Sequence, residues 1–480
     1  MVSQHGILLA VNIISDHFGP IVSKVCGCLL RYGALSLLEI VRRLELSPRQ
    51  VKNSLLILIQ HNCVQAYTSP RGGGDKMVTL YLAIFDNVLH RLCFSKFLSV
   101  VRVDIPESEV LLEGLLQNGR LTFEQLVERT IFKVPEGSPL PTREEIRMNF
   151  NKLVYAHYVE RCPKPEPFFD PLAVEQPTST RKRAPKIPYL MEGSSSANDG
   201  HHAVAGNKRK HEALEVDEED SIIAESEVLW RINFERFIFC LKKKFCAERK
   251  KAKMRLGTLA IWEAFFEANV TNNDNKTVTS PIDGILERVG QKEGGTSMTL
   301  DQIISVLNDL ECTSTTNNPE EFTFDLNKLV ETCRNDEIES LVKKKHGQEA
   351  YTIFRLLLKQ GCPVETDEIT DRTILDKQVV HETLYKLWKD EYTDSERVPS
   401  TSGTGAGSTQ FFVWRVKNIY REHFMDHLYH AALNLRQMVN YMAELLLEGS
   451  KDEIKLRNRK NILVLALTRH DESLMMFHDF

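Results

Sequence analysis

The chain has 480 residues, of which 42% are hydrophobic and 26% are charged, and its formal net charge is −5. This composition is ordinary for a globular protein, and the length favours several domains over one core. No apolar run approaches ~18 residues, which excludes a membrane-spanning helix. Because the chain is not basic overall, any contact with nucleic acid must come from local patches.

The apolar opening, residues 1–14, lacks the basic start of a signal peptide, and we interpret it as a helix of the first domain. Ten cysteines follow along the chain without a Cys-x-x-Cys pair. Cys26 and Cys28 have no second pair that would complete a zinc site. We therefore expect buried free thiols in a reducing compartment, and neither a metal nor a cofactor.

Residues 33–66 predict a helix, a turn, a second helix and a strand. Ser47 is a good N-cap for the second helix, and Pro48 fits its first position, where a missing N–H costs nothing. A glycine-rich loop at 72–74 and a second apolar strand follow. Two strands around a flexible loop after a helix-turn-helix indicate a winged helix over residues 1–85.

The second helix of this module presents Arg49, Lys52 and Asn53 opposite its apolar face. A recognition helix meets the major groove of DNA with such a face. Arg71 and Lys76 flank the glycine loop and are further candidates for contact with phosphates. Winged helices also serve protein contacts alone, and for Arg49 and Lys52 that interpretation ranks ahead of DNA contact.

The same pattern recurs in residues 86–162, where 119–126 resembles 33–40. Internal similarity of this kind indicates tandem modules. Thr142, followed three residues later by Glu145, forms a capping box that starts the next helix. We therefore predict a second winged helix over this segment.

Residues 163–225 differ in composition from the rest of the chain. They contain seven prolines, a Gly-Ser run, and both basic and acidic clusters, with few large apolar residues. This composition predicts a disordered linker. The basic clusters suit a nuclear import signal, and a merely solvated linker is the alternative. The basic residues are Arg181, Lys182, Arg183, Lys208, Arg209 and Lys210.

Residues 226–335 predict a third winged helix with a wing strand over residues 321–326, and its first helix is the most basic segment of the chain. Lys and Arg contact phosphates regardless of base sequence, and that contact is salt-sensitive. A solvated helix face beside an acidic partner explains the pattern equally well. The candidate DNA-contact residues are Lys242, Lys243, Lys244, Arg249, Lys250, Lys251 and Lys253.

Residues 336–416 predict a fourth winged helix, with a long polar loop at 389–410 before its last strand. Residues 417–480 show an a/d heptad pattern that breaks near Gly449 and resumes, which predicts an antiparallel coiled-coil hairpin. The predicted fold is therefore mainly α with small β wings, as four tandem winged-helix domains followed by this hairpin. The expected seam positions are Leu428, Leu435, Met438, Met442 and Leu445.

The sequence offers no spacing that supports catalysis. The glycine run at 403–407 lacks the Lys-Ser/Thr ending of a phosphate loop. There is no Gly-x-Ser-x-Gly elbow, no His-Glu-x-x-His pair and no string of aspartates that would hold magnesium. We therefore predict a noncatalytic chain.

Several winged helices, an insert of basic and acidic clusters after the second, and a C-terminal coiled coil form an unusual order. This arrangement resembles the third subunit of eukaryotic RNA polymerase III, a TFIIE-alpha-like subunit. Residues 4–9, 16–19 and 33–37 are similar to the start of that family. The resemblance covers nearly the whole chain, and no single catalytic motif carries it.

The resemblance implies a noncatalytic nuclear subunit that sits on the polymerase clamp with two companion subunits. It implies recruitment to promoters through TFIIIB, and opening and holding of single- or double-stranded DNA at genes for transfer RNA, 5S ribosomal RNA and other small RNAs. It also implies a role in innate sensing of foreign DNA through the whole enzyme.

Two alternatives remain open from the residues. One is the general transcription factor TFIIE-alpha, whose zinc ribbon needs paired Cys-x-x-Cys motifs that this chain lacks. The other is a winged-helix interaction scaffold of a non-transcription complex, such as a ubiquitin ligase. The basic clusters favour nucleic-acid machinery over such a scaffold.

Overall fold

The computed structural model describes residues 2–70, 77–133, 141–162, 228–251, 254–268, 276–291, 298–314, 320–399, 410–417, 420–448 and 452–480. Over these ranges the chain is mainly helical, with four small antiparallel sheets of three strands each. None of the helices so described combines the length and apolar character needed to cross a membrane.

The first unit places four helices around a small sheet in which β3 lies between β1 and β2. Ser47 and Gln50 cap the fourth helix reciprocally, and Pro48 occupies its first turn. The predicted helix-turn-helix and strand over 33–66 are confirmed. The elements are α1 (Gln4–Phe18), α2 (Pro20–Tyr32), β1 (Leu35–Ser36), α3 (Leu37–Leu44), α4 (Pro48–Gln60), β2 (Val64–Pro70) and β3 (Met77–Ala83).

The second unit repeats this order after a short helix and a 3-10 turn, and a second 3-10 turn separates the first two helices of the repeat. The predicted capping box is confirmed, because Thr142 and Glu145 exchange hydrogen bonds of 2.9 and 3.3 Å. The elements are α5 (Phe85–Leu89), α6 (Phe94–Asp104), α7 (Glu109–Asn118), β4 (Leu121–Thr122), α8 (Phe123–Phe132), α9 (Arg143–Tyr155), β5 (Val159–Arg161) and β6 (Leu229–Ile232).

Strand β6 corrects one expected domain boundary. Trp230 pairs with Leu121 of β4 on one side and with Arg161 of β5 on the other. The segment 229–232 therefore completes the second sheet, although the sequence analysis assigned it to a third domain beginning at 226. Pairing between strands far apart in sequence leaves no local pattern, so the sequence could not reveal it.

The third unit has β9 between β7 and β8, and the strand predicted near Glu321 is confirmed. Its helices surround an aromatic core in which the Trp262 ring packs edge-on against the ring of Phe324, 5.0 Å between centroids. The elements are α10 (Phe234–Lys251), α11 (Leu256–Glu267), β7 (Thr277–Pro281), α12 (Ile282–Gly290), α13 (Leu300–Asp309), β8 (Thr313–Ser314) and β9 (Glu321–Asp325).

The fourth unit begins within α14, which runs across the boundary expected at 335/336. The expectation of a loop over 389–410 was wrong for residues 393–399, which form β11, and residues 400–409 lie outside the described ranges. That strand is rich in polar residues and mostly accessible, so it lacks the apolar alternation that marks strands. The elements are α14 (Leu326–His346), α15 (Gln348–Gln360), β10 (Val364–Glu365), α16 (Thr366–Thr373), α17 (Lys377–Lys389), β11 (Thr393–Pro399) and β12 (Gln410–Val416).

Two long helices, α18 (Tyr420–Leu447) and α19 (Glu453–His478), run antiparallel at the end of the chain. The guanidinium of Arg436 in α18 donates to both carboxylate oxygens of Asp471 in α19, at 2.8 Å each. This paired contact, in a partly buried position, fixes the register between the two helices.

The five expected seam positions of this helix pair are buried to different degrees. Leu428 and Met442 are buried, Leu435 and Leu445 are partly buried, and Met438 is 40% exposed. A regular heptad seam along the full length of the pair therefore stays a prediction.

Helix α10 contributes to both of the hydrophobic cores formed by the described residues. Phe237 and Leu241 belong to the core of the second unit, whereas Phe239 and Cys246 belong to the larger core that holds the third. A helix that contributes to both cores has little surface left for solvent. This position determines which basic residues of α10 are exposed and which form contacts inside the protein.

Candidate nucleic-acid interface

Four helices hold equivalent places, each directly before the two wing strands of its unit: α4, α9, α13 and α17. In a winged helix this is the element that meets a DNA groove. These helices differ in the charged residues that they carry. Helix α13 carries Asp301 and Asp309 and no Lys or Arg, so its face repels phosphates. In α17, Lys377 is paired with Asp367 at 2.6 Å.

Helix α4 places Arg49, Lys52 and Asn53 on its exposed face, as the sequence predicted. The next turn of the same face is apolar, and Leu56 is 67% exposed and Ile57 36% exposed. The first turns of α4 thus suit phosphate contact, and the following turn suits an apolar surface. Helix α4 therefore carries residues that suit DNA contact and residues that suit protein contact, the two interpretations drawn from the sequence.

The C-terminal end of α4 is already occupied by the second unit. The carbonyl of Gln60 accepts a hydrogen bond from the N–H of Arg120 at 2.9 Å. The side-chain amide of Gln60 donates to the carbonyl of Asn118, and Arg120 Nε donates to Asn62 Oδ1 at 2.7 Å. These bonds fix the orientation of the first two units, so α4 and α9 are presented together.

Two of the basic candidates in α10 use their ammonium groups in hydrogen bonds within the protein. Lys242 is 5% exposed and its ammonium group donates to the side-chain oxygen of Asn327. Lys250 donates to the carbonyl of Leu310 at 2.8 Å and lies 4.7 Å from the centre of the Phe324 ring. Burial lowers the pKa of Lys250. Neither ammonium group is presented to a phosphate.

The other candidates in α10 divide in the same way. Lys251 pairs with Glu263 at 2.5 Å, and burial lowers the pKa of Lys243. Lys244 and Arg249 are exposed. This division could not be predicted from the sequence, because no local pattern shows that α10 packs between two cores.

Several candidates fall outside the described ranges, and they stay predictions. They are Arg71, Lys76, Lys253, Arg181, Lys182, Arg183, Lys208, Arg209 and Lys210.

A cavity of about 150 Å³ between α9 and the second sheet was not expected. Its sequence signal was the four-residue spacing of Arg147, Asn151 and Tyr155, which places all three on one face of α9. This spacing resembles an ordinary solvated face and does not by itself indicate a site. The described residues that line it are Phe123, Arg147, Phe150, Asn151, Val154, Tyr155, Arg161 and Trp230.

Behind α4, burial shifts the pKa values of two titratable side chains so that their uncharged forms are favoured. Burial, together with the charges of Arg91 and His17, lowers the pKa of His61 to about 4, and its ring packs on Phe18. Burial raises the pKa of Cys63 to about 11, so this thiol stays uncharged and is a poor nucleophile. Among the described residues no three His, Cys, Asp or Glu side chains come together as metal ligands.

Three family models match the chain in succession. Residues 8–69 match the RNA polymerase III subunit RPC82 helix-turn-helix domain. Residues 148–331 match the RNA polymerase III subunit RPC82 family, and residues 338–416 match the POLR3C C-terminal winged-helix domain. The first match contains α4, the second contains most of α9 and all of α10, and the third contains α17.

Curated relatives agree with these matches over almost the whole chain. The chain is 23% identical to the DNA-directed RNA polymerase III subunit RPC3 of Homo sapiens, over 94% of this chain and 87% of that protein. It is 24% identical to the subunit of the same name from Danio rerio, over 88% and 82%. The Dictyostelium discoideum subunit is 28% identical over 42% and 32%. The chain belongs to the RPC82 family of RNA polymerase III subunits.

Proposed function

We propose that the chain, a noncatalytic subunit of RNA polymerase III, acts in recruiting the polymerase to promoters and in opening promoter DNA. The genes served are those for transfer RNA, 5S ribosomal RNA and other small RNAs, and the place of action is the nucleus. Through the whole enzyme the same activity extends to innate sensing of foreign DNA.

The architecture that we propose for this role is four tandem winged helices and a coiled-coil hairpin. Four three-stranded sheets, each with a helix before its wing strands, support the first part. The antiparallel pair α18 and α19 supports the second part. In this arrangement the hairpin docks to the polymerase clamp, and the winged helices bind two companion subunits, TFIIIB and DNA.

The exposed basic face of α4 is the observation that carries the DNA-contact part of the proposal. Arg49 and Lys52 stand on a capped recognition helix whose orientation is fixed by the second unit. Lys244 and Arg249 of α10 supply a second basic surface. Together they hold phosphates and so limit reclosure of opened DNA.

The salt dependence of DNA binding by the polymerase that contains this subunit tests the proposal. Arg49→Ala with Lys52→Ala should weaken binding for all base sequences alike, because phosphate contacts carry no sequence information. Each lost contact should flatten the slope of log affinity against log salt by about 0.9 for duplex DNA. The matched control is Lys455→Ala with Arg457→Ala, two exposed basic residues at the start of α19.

An unchanged slope in the α4 variant would remove DNA contact from that helix. A tagged pull-down with mass spectrometry tests the assembly itself. Recovery of the polymerase III core with two companion subunits is expected. Recovery of RNA polymerase II factors or of a ubiquitin ligase would overturn the proposed function.

A further inference from the structure

The cavity of the second unit lies between its recognition helix and its wing. Phe123 and Phe150 pack at 5.4 Å between ring centres, and Phe150 meets the Trp230 ring edge-on at 5.0 Å. These three side chains are almost fully buried and form a rigid aromatic floor. Tyr155, which is 82% exposed, stands at the rim from the last turn of α9.

The rim carries two arginine side chains. The guanidinium of Arg147 lies 5.6 Å from the Phe123 ring centre, and that of Arg161 lies 5.2 Å from the Trp230 ring centre. Among the residues that the structure describes, no acidic side chain belongs to the lining. Asn151 adds an amide, which both donates and accepts hydrogen bonds. The cavity thus combines two cations, an amide and an exposed aromatic ring.

The size of the cavity limits what can enter it. A volume of about 150 Å³ corresponds to roughly five water molecules. It is smaller than the ~300–1,000 Å³ of sites that enclose a whole small molecule. It therefore takes one flat group of a longer ligand whose remaining length lies across the basic rim.

Single-stranded DNA supplies both a flat group for the cavity and a longer chain for the basic rim. Its bases stack on exposed aromatic side chains, and its phosphates follow basic grooves. An unpaired base also offers the hydrogen-bonding edge that an amide such as Asn151 can contact. Duplex DNA keeps its bases stacked and cannot place one in the cavity without flipping it out.

We propose that the cavity of Arg147, Asn151, Tyr155 and Arg161 captures one unstacked base of single-stranded DNA. Tyr155 stacks on the base, and Arg161 binds the adjacent phosphate. The inference rests on the proposed function, which brings opened promoter DNA to this chain. It adds a site on the second unit that is separate from the basic face of α4.

The test measures binding of a labelled oligothymidylate of about 12 nucleotides to the full chain, with duplex of equal length as comparison. Tyr155→Ala should weaken single-strand binding about tenfold, while Tyr155→Phe, which keeps the ring, should stay within about twofold of wild type. Arg161→Ala should flatten the single-strand salt slope by about 0.7.

The matched control is Phe132→Ala, since Phe132 is a strongly exposed aromatic residue of the same unit, 92% exposed and outside this cavity. It should leave single-strand binding unchanged. Duplex binding should be unaffected by every Tyr155 variant. Equal affinity of Tyr155→Ala, Phe132→Ala and wild type for the oligothymidylate would overturn the cavity site.

The two proposals fail separately. If Tyr155→Ala binds single strands normally while the α4 variant still loses its salt slope, the cavity site is wrong and the proposed function stands. If Tyr155→Ala instead lowers recovery of partner polypeptides with the polymerase, the cavity is a protein-docking site and the base-capture proposal is wrong.

Discussion

Gly119 lies against the carbonyl oxygen of Gln60, at the point where the first two units meet. A Cβ atom at Gly119 would stand 2.1 Å from that oxygen, and the residue has a φ of +77°. Only glycine reaches this backbone conformation without strain. The close approach lets Arg120 donate its N–H to Gln60, so the orientation of α4 relative to α9 depends on a missing side chain.

We therefore predict that Gly119→Ala loosens the junction of the first two units. The backbone strain alone should cost about 1–3 kcal/mol, and the clash with Gln60 adds to it. The measurement is the urea midpoint, together with hydrogen exchange of the Arg120 amide. Gly290→Ala is the control, because its Cβ meets nothing within 4 Å, and it should be neutral or slightly stabilising.

Substitution by alanine should change stability at the interior lysines of α10 but not at the exposed ones. Lys250→Ala removes a charged hydrogen bond to Leu310 and should lower stability by about 1.5–3 kcal/mol. Lys244→Ala, at an exposed position, should change stability by less than about 0.5 kcal/mol. Lys244→Ala with Arg249→Ala should nevertheless flatten the salt slope of DNA binding, as measured by titration. A stable protein after Lys250→Ala would show that the interior contact contributes nothing.

His61 should make the first unit sensitive to acid. Its pKa is about 4 in the folded protein and ~6.5 in the unfolded chain, so the unfolded state binds the proton first. Stability should fall as the pH drops from about 6.5 towards 4. Because His61 is partly exposed, we expect a loss of about 1–2 kcal/mol. His61→Gln should reduce this slope in denaturation series, and exposed His381→Gln should not.

His478 should act in the opposite sense. Burial alone would lower its pKa, but the hydrogen bond with Asp86 and the charge of Asp479 outweigh burial and raise it. Its contribution is therefore complete below about pH 6.5 and is lost as the pH rises through the folded pKa. The difference in thermal midpoint between wild type and His478→Gln should be larger at pH 6 than at pH 8. A constant difference would show that the charge of His478 does not hold α19 in place.

The sequence predicted those parts of the fold that depend on local chemistry. The N-caps at Ser47 and Thr142 begin helices as expected, because capping is set by residues three apart. Strand β9 was also found from its apolar alternation. The pairing of β6 with β4 and β5 was not, because no local pattern records a partner so distant in sequence.

The candidate site was predicted less completely than the fold. Arg49 and Lys52 are exposed as expected, since an amphipathic helix shows its polar face in its spacing. The use of Lys242 and Lys250 inside the protein was missed, because side-chain burial there depends on two cores meeting at α10. The cavity at Tyr155 was missed because Trp230, part of its floor, follows the insert in the sequence and so lies far along the chain from the other lining residues.

Strands β5 and β6 are neighbours in the sheet although residues 162–228 separate them along the chain. Closing a longer connection costs only about 0.6 kcal/mol for each doubling of its length. We therefore expect a change in the length of this connection to cost little stability, whereas a shift of the strand register at Trp230 would cost more. A chain cut within the connection should persist as two complementing fragments, each contributing strands to one shared sheet.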